Sequence, residues 1–219
     1  MKIICIIAAY NEEKKIANTL DDVKKYLDNI VVVDDGSRDN TVKVAREKGV
    51  TVIEHKINRG QGAALETGNT YALKHQADIV VHFDADGQFL AKEIKDIIKP
   101  IKAGYDVTFG SRFLDKKSQV PFTKRNIIMP LAKLINLVFF NVRTSDPQNG
   151  FRALNVKALE TIKIENDRMA HCSEILAKTR KYKLKYKEIP VTVLYAEFGQ
   201  KFNSGFKILS DLFVNKLTK

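Results

Sequence analysis

Hydrophobic and polar residues along this chain fall into short blocks whose period changes every few residues. Ile3–Ala8 is an apolar run of strand type. Glu12–Leu27 then switches to helical spacing, with Ile16, Leu20, Val23 and Leu27 on one face. Ile30–Val33 is apolar throughout, a helix is predicted from about Thr41 to Lys48, and Val50–Ile53 reads as a third strand. The pattern continues with a helix over Gly60–Lys74, a strand over Ile79–Phe83, a helix over Lys92–Lys102 and a strand at Val107–Phe109. Apolar β-branched runs alternating with helices imply an α/β fold, a mostly parallel central sheet with helices on both faces. Ligands of such sheets bind beyond the carboxyl ends of the strands. The polar residues just after each strand therefore carry the functional reading.

The second half is less regular. Arg125–Phe140 reads as an amphipathic helix after a basic loop, Asp167–Lys181 as a helix and Phe206–Leu217 as a terminal helix. Leu184–Tyr195 is strand-like, and Pro190 within it marks a sheet edge or a bulge. No repeat, low-complexity tract or linker interrupts the chain. It reads as one domain, residues 1–112 forming the regular half and residues 113–219 the less regular one.

Composition narrows the class. The 219 residues are 44% hydrophobic, enough for a real core, which excludes disordered and mini-protein classes. Cys5 and Cys172 have no metal-type spacing, so neither a disulfide framework nor a zinc site is indicated, and a reducing cytoplasmic setting fits. The apolar start breaks at Tyr10-Asn11-Glu12, too early for a signal segment. Ile127–Val142 is interrupted by Pro130, Lys133, Asn136 and Asn141, unlike a conventional spanning helix. A soluble or peripheral protein is expected. The 37 Lys and Arg against 26 Asp and Glu leave a charge of +11, which fits nucleic acid, an anionic membrane or phosphate-bearing small molecules.

Four strand ends carry polar clusters: Tyr10-Asn11-Glu12, Asp34 to Asp39, Asn58 to Gly62, and Asp84 to Gln88. Parallel strands place all four on one rim. Asp84 and Asp86 flank a single residue, so in extended geometry both point to one side. Such carboxylates raise each other's pKa unless a cation lies between them. Mg²⁺ or Mn²⁺ suits the pair, since these ions accept one or two carboxylates and complete their shell with water and phosphate oxygens. The structural alternative is a strand-ending aspartate with Asp86 in a turn. Of Asp34 and Asp35, one can face the rim and accept hydrogen bonds from a base or ribose. Gly60-x-Gly62 resembles half a dinucleotide fingerprint, but Leu65 stands at the third glycine position, so it reads as a closely packed helix N-terminus near a phosphate.

In this order, IIAAYNEE, VVVDDGSRDNT, NRGQGAALETG, DADGQF, FGSRF and SDPQNGFRAL resemble family 2 glycosyltransferases, with the polyprenyl-phosphate hexosyltransferases (dolichol-phosphate mannose synthase-like) as the nearest group. The resemblance spans nearly the whole chain and implies a nucleotide-sugar and metal-binding half over residues 1–112 and an acceptor-side half over residues 113–219. It implies a GT-A-type fold, a nucleotide-sugar donor linked to uridine or guanosine diphosphate, and inversion at the anomeric carbon. Carried over by position, Ala8, Tyr10, Glu12 and Asp35 line the base and ribose, with Gly62, Asp84 and Ala85 completing the nucleotide contacts. Asp84, Asp86 and Gln88 match the metal and diphosphate group; Arg112 and Arg125 match phosphate-facing arginines; Lys201 matches a lysine that closes over the donor. The chain departs from the family at Ala8, where a proline is usual, and before Lys201, where an arginine is missing.

These assignments imply a single in-line displacement at the sugar C1, with Asp86 and Arg112 in the reacting group. A polyprenyl-phosphate acceptor is already anionic and needs no strong base, whereas a sugar-hydroxyl acceptor does. Asp146 is the nominee where a base is required; its other reading is a turn aspartate before proline. Lys124, Arg125 and Arg143 border Ile127–Val142, which fits either a helix docked on anionic lipid or an ordinary core helix. His171 and Glu174 share a helix face and read as capping or packing groups rather than a metal pair. The basic residues from Lys178 to Lys187 read as a solvated edge. A nucleic-acid-binding module is the rival from another class, but no helix-turn-helix, zinc or RNP-type signature is present and the acidic rim is left unexplained. A sugar-nucleotidyltransferase would carry a glycine-rich loop where this chain has Tyr10-Asn11-Glu12. The positive charge is thus assigned to donor phosphates and an anionic membrane surface, in a peripheral enzyme at the cytoplasmic face.

Overall fold

The computed structural model describes residues 1–114 and 144–194. Seven strands form one sheet: β1 (Ile3–Ala9), β2 (Ile30–Asp34), β3 (Thr51–Glu54), β4 (Ile79–Asp84), β5 (Val107–Ser111), β6 (Arg152–Asn155) and β7 (Tyr186–Pro190). Their order is β3-β2-β1-β4-β6-β5-β7. Pairings β1·β2, β1·β4, β2·β3 and β5·β7 are parallel, and β6 runs antiparallel to both β4 and β5. The sheet is therefore mostly parallel, as the alternation of strand and helix patterns implies.

Side-chain alternation divides the core into two layers. Cys5, Ile7, Ile79, Val81 and Phe83 face one side with α1 (Ile16–Lys24) and α4 (Ile94–Lys102). Ile4, Ile6, Val80 and Leu154 face the other with α3 (Gln61–Lys74), α5 (Val156–Thr161) and α6 (His171–Lys181). Helix α2 (Thr41–Glu47) packs beside α1 and β3. Each buried Ile, Leu or Val in these layers contributes roughly 1.5–3 kcal/mol of transfer free energy. The parity matters for function, because Asp84 follows Val80 and His82 on the α3 and α6 side.

Several elements depart from the sequence pattern. Strand β6 and helix α5 are not announced by it, since β6 is four residues long and opens with a buried arginine instead of an aliphatic residue. Helix α1 starts at Ile16 rather than Glu12, because residues 12–15 form a turn in which the Glu12 carbonyl accepts the Lys15 and Ile16 N–H groups. Strand β7 is shorter than Leu184–Tyr195, with Pro190 as its last residue, and it lies at the sheet edge where proline costs no ladder bond. The predicted helices over 125–140 and 206–217 lie outside the described residues.

Candidate active site

Strand register builds the rim. Ala8 of β1 pairs with Val33 of β2 on one side and with Asp84 of β4 on the other. The turns after β1, β2 and β4 therefore share one end of the sheet. Tyr10 is 43% exposed there, and the loops after β1 and β2 are zipped together. The Asn11 N–H donates to Ser37 Oγ, the Arg38 N–H to Asn11 Oδ1 and the Glu12 N–H to Thr41 Oγ1. Burial raises the Glu12 carboxyl above its ordinary pKa, and the charges of Asp86 and Asp39 add to this against Lys15.

Asp35 has its oxygens taken up internally. Oδ1 accepts the Arg59 N–H at 3.0 Å and contacts His55 Nδ1 at 2.8 Å; Oδ2 accepts the Gly60 N–H at 2.6 Å. The loop before α3 is thereby folded around a buried carboxylate. Gly60 and Gly62 lie under residues 166–167: a Cβ on Gly62 would fall 2.0 Å from the Asn166 carbonyl oxygen, and the Ala63 N–H is capped by the Asp167 carbonyl at 3.2 Å. The close packing read from Gly60-x-Gly62 is present, and chain segment 166–167 occupies that helix start.

The β4 end is different. Asp84 closes the strand, while Ala85 and Asp86 lie in a turn, so the two carboxylates do not share an extended segment. Asp86 Oδ1 accepts the Gln88 N–H at 3.0 Å, and its side chain lines a cavity of about 260 Å³ on the α1 side together with Lys15, Thr19 and Asp22. Among the described residues, Asp84 accepts one hydrogen bond, from Gln61 Nε2 to Oδ1 at 2.9 Å. Burial, then the charge of Asp86, push the Asp84 carboxyl up to about 7, against the opposing influence of Arg152 and His171. Burial also raises Asp86. Gly150 lies against this group: a Cβ there would fall 2.8 Å from Asp84 Oδ2. A buried carboxylate this short of donors, cradled by a glycine and with Asp86 close enough to raise its pKa, fits a divalent cation. Two carboxylates are sufficient protein ligands for Mg²⁺ or Mn²⁺ when substrate phosphates complete the shell. Among the described residues no cluster of three or more His, Cys, Asp or Glu forms an all-protein cage.

The loop is held in place from below. Phe83, Phe89 and Phe151 form a ring cluster with centroids 5.2–5.7 Å apart, and Phe89 pairs with Val193 in an isolated antiparallel bridge. Ala85 is buried and its carbonyl accepts from Thr19 Oγ1.

Arg112, one residue past β5, makes a bidentate pair with Asp146: Nε to Oδ2 and Nη2 to Oδ1, both 2.6 Å, plus the Arg112 N–H to Oδ2 at 3.1 Å. Asn149 Nδ2 adds a fourth donor at 3.1 Å. Both partners are buried. Glu188 of β7 anchors the same loop through the Ser145 N–H and the Thr144 and Ser145 hydroxyls. Glu174 is likewise a packing group, its carboxylate accepting the N–H groups of Glu165 and Asn166. Arg125 and Lys201 lie outside the described residues.

The rim thus brings Ala8, Tyr10, Glu12, Asp84, Ala85, Asp86 and Gln88 together, while Asp35 and the Arg112–Asp146 pair are buried within their own loops. Gln61, Gly150, Arg152 and Glu188 are contributors that motif reading passes over. Gln61 was signalled only by its place beside the paired glycines, and Arg152 only by standing within an apolar run.

Comparison with known proteins places this architecture. The model of Glycosyl transferase family 2 matches residues 4–163. The UDP-N-acetylglucosamine–dolichyl-phosphate N-acetylglucosaminyltransferase of Methanococcus voltae is 34% identical, over 99% of this chain and 97% of its own. The undecaprenyl-phosphate mannosyltransferase of Micrococcus luteus is 25% identical over 94% and 88%. Among solved structures, glucosyl-3-phosphoglycerate synthase from Mycobacterium tuberculosis, crystallised with Mn²⁺, uridine diphosphate and glucosyl-3-phosphoglycerate, matches with a TM-score of 0.75. That match covers 97% of this chain and 79% of the other at 17% identity, a likeness of GT-A-type fold.

Proposed function

Since the chain belongs to glycosyl transferase family 2, we propose that it moves a hexose from a nucleotide-sugar to a polyprenyl phosphate, with inversion at the anomeric carbon. The observation that carries the reading is the donor-poor Asp84 carboxylate with Asp86 near it on the shared rim. The acceptor class rests on the M. voltae and M. luteus relatives, both named for lipid-phosphate acceptors. The M. voltae relative makes a UDP-linked N-acetylhexosamine the first donor to test.

In this reading Asp84, Asp86 and Gln88 hold Mg²⁺ or Mn²⁺ beside the donor diphosphate. The ion's contribution is to stabilise negative charge growing on the leaving nucleoside diphosphate. Tyr10 and Glu12 border the nucleoside, with Ala8 and Ala85 forming the floor. Asp35 shapes the 58–60 loop that closes this side, since its oxygens are already engaged. Asp146 holds the Arg112 guanidinium in place rather than removing a proton. That assignment is consistent with a phosphate acceptor, which arrives deprotonated and needs no base. Among the described residues no helix is long and apolar enough to cross a membrane. We place the enzyme as a peripheral protein on the cytoplasmic face, where the net charge of +11 favours anionic lipid.

The test is a donor screen of UDP- and GDP-sugars with Mn²⁺, with and without polyprenyl phosphate, followed by mass spectrometry of the lipid fraction. A glycosyl phospholipid formed only when lipid phosphate is supplied is the expected result. Transfer to a soluble sugar hydroxyl at equal rate without the lipid overturns the acceptor assignment.

A further inference from the structure

Among the described residues, Arg152 is the largest side chain buried so completely, at 1% exposed. It opens β6, where its cross-strand neighbours are His82 of β4 and Phe109 of β5. No carboxylate bonds to it among the described residues; its partners are two backbone carbonyls and the Cys172 sulfur. A leucine or methionine would fill this volume without taking a charge out of water. The reason for an arginine must therefore lie in what its donors hold.

Arg152 Nε donates to the Gly150 carbonyl at 3.2 Å and Nη2 to the Asn149 carbonyl at 2.9 Å. These carbonyls belong to the two peptide units on either side of the Gly150 Cα. Among the described residues no backbone N–H reaches either of them. One rigid planar group thus grips both peptide planes that flank a glycine, the residue type whose backbone restrains itself least. A side chain cannot supply that restraint here, because a Cβ on Gly150 would fall 2.8 Å from Asp84 Oδ2 and 3.0 Å from Oδ1. The chain on both sides is anchored by other means. Asn149 Nδ2 donates to Asp146 at 3.1 Å, and the Phe151 N–H to Asn149 Oδ1 at 2.9 Å. The Phe151 carbonyl accepts the Gly110 N–H at 2.9 Å, and its ring packs against Phe83 and Phe89. Gly150 is the joint between these anchors, and Arg152 locks it.

We propose that Arg152 is a positioning residue for the divalent cation: its fork fixes the Gly150 backbone, and that backbone holds the Asp84 carboxylate in the orientation in which it binds the ion. The inference rests on the metal role proposed for Asp84. Carboxylates that bind metals are ordinarily oriented by hydrogen bonds from their surroundings. Asp84 has one such bond among the described residues, from Gln61 Nε2 to Oδ1 at 2.9 Å. On the other side the Gly150 backbone bounds the carboxylate by contact instead. Release of the fork frees the two peptide planes to turn about the Gly150 Cα, and the wall against Asp84 moves with them. The same arrangement explains why the chain has a buried arginine at the start of β6 and no side chain at position 150.

The experiment titrates Mn²⁺ into the full chain with UDP present and reads free Mn²⁺ by electron paramagnetic resonance, so that no turnover is needed. Each protein is also melted in EDTA, which reads the fold without the ion. Arg152→Lys keeps the buried charge but cannot grip two carbonyls with one planar group, and it should weaken Mn²⁺ binding by about 10-fold or more. Gly150→Ala leaves the arginine in place and crowds Asp84 directly, and a similar loss is expected. Asp106→Asn, just before β5, should lower the melting temperature with Mn²⁺ affinity unchanged, which separates loss of position from loss of stability. Where Arg152→Lys does not melt cooperatively, Arg152→Gln takes its place with the same expected loss. Wild-type Mn²⁺ affinity in a folded Arg152 variant overturns the positioning role, and wild-type affinity in Gly150→Ala overturns the route through Asp84. A wild-type protein that binds UDP but no Mn²⁺ removes the proposed metal role of Asp84, and the inference falls with it.

Discussion

The β2 and β4 ends of the sheet both present aspartates on the same rim, yet two of them, Asp35 and Asp84, are treated in opposite ways. At the β2 end, Asp35 receives two backbone N–H groups and His55, and is enclosed by the loop it organises. At the β4 end, Asp84 receives one amide from Gln61, has Asp86 close enough to raise its pKa, and meets a glycine where any side chain would collide. A carboxylate supplied with donors is a structural part. One that is buried, crowded and undersupplied is costly unless a cation arrives. On the proposed function, the contrast assigns chemistry to Asp84 and architecture to Asp35, although the two motifs look equally acidic in the sequence.

The largest effect that tests this contrast is on catalysis. Asp84→Asn should lower kcat/KM for sugar transfer by about 10²–10³-fold, the scale of losing one principal electrostatic contact to the reacting group, while thermal stability stays level or rises. Parallel turnover and melting measurements check it, and a large fall in stability with modest loss of turnover would move Asp84 into the architectural class.

The reverse pattern is expected at the other end. Asp35→Ala strands the Arg59 and Gly60 N–H groups and His55, and should destabilise the fold by about 2–3 kcal/mol in urea unfolding. Protein that remains folded should keep most of its turnover. Normal stability with abolished donor binding would restore Asp35 to the nucleotide contacts.

Much of this arrangement is readable from the residues. Aliphatic runs such as Ile30–Val33 and Ile79–Phe83 fix the parallel strands because burial on both faces leaves no room for alternation. The strand ends then fix the rim, including Tyr10, Glu12, Asp84 and Asp86. What escapes is set by tertiary pairing. Strand β6 owes its existence to antiparallel partners on both sides rather than to its own four residues, and Arg152 is buried because Cys172 and two carbonyls surround it. Nothing local separates Asp35 from Asp84 either, since the donors that distinguish them come from residues 20 or more positions away. The Arg112–Asp146 pair is also long-range, which is why Asp146 reads equally as a base or a turn residue along the chain and as a buried ion-pair partner in three dimensions.

The smallest expected effect extends the contrast to the far end of the sheet. Asp106, just before β5, receives the Lys185 N–H at 2.8 Å, Asn155 Nδ2 at 3.0 Å and Lys157 Nζ at 3.1 Å. Burial alone would raise its carboxyl, but these donors outweigh burial and hold it below its ordinary 3.8. The folded state therefore binds this proton less readily than the unfolded chain. The stabilisation is complete above the unfolded value and is lost as pH falls through 3.8 and then through the lower folded value. Asp106→Asn should cost about 1 kcal/mol near neutral pH, and the gap between variant and wild type should close in unfolding curves taken below about pH 4. A gap that stays constant with pH would mean that Asp106 acts through shape alone, and donor supply would then no longer separate the architectural carboxylates from Asp84.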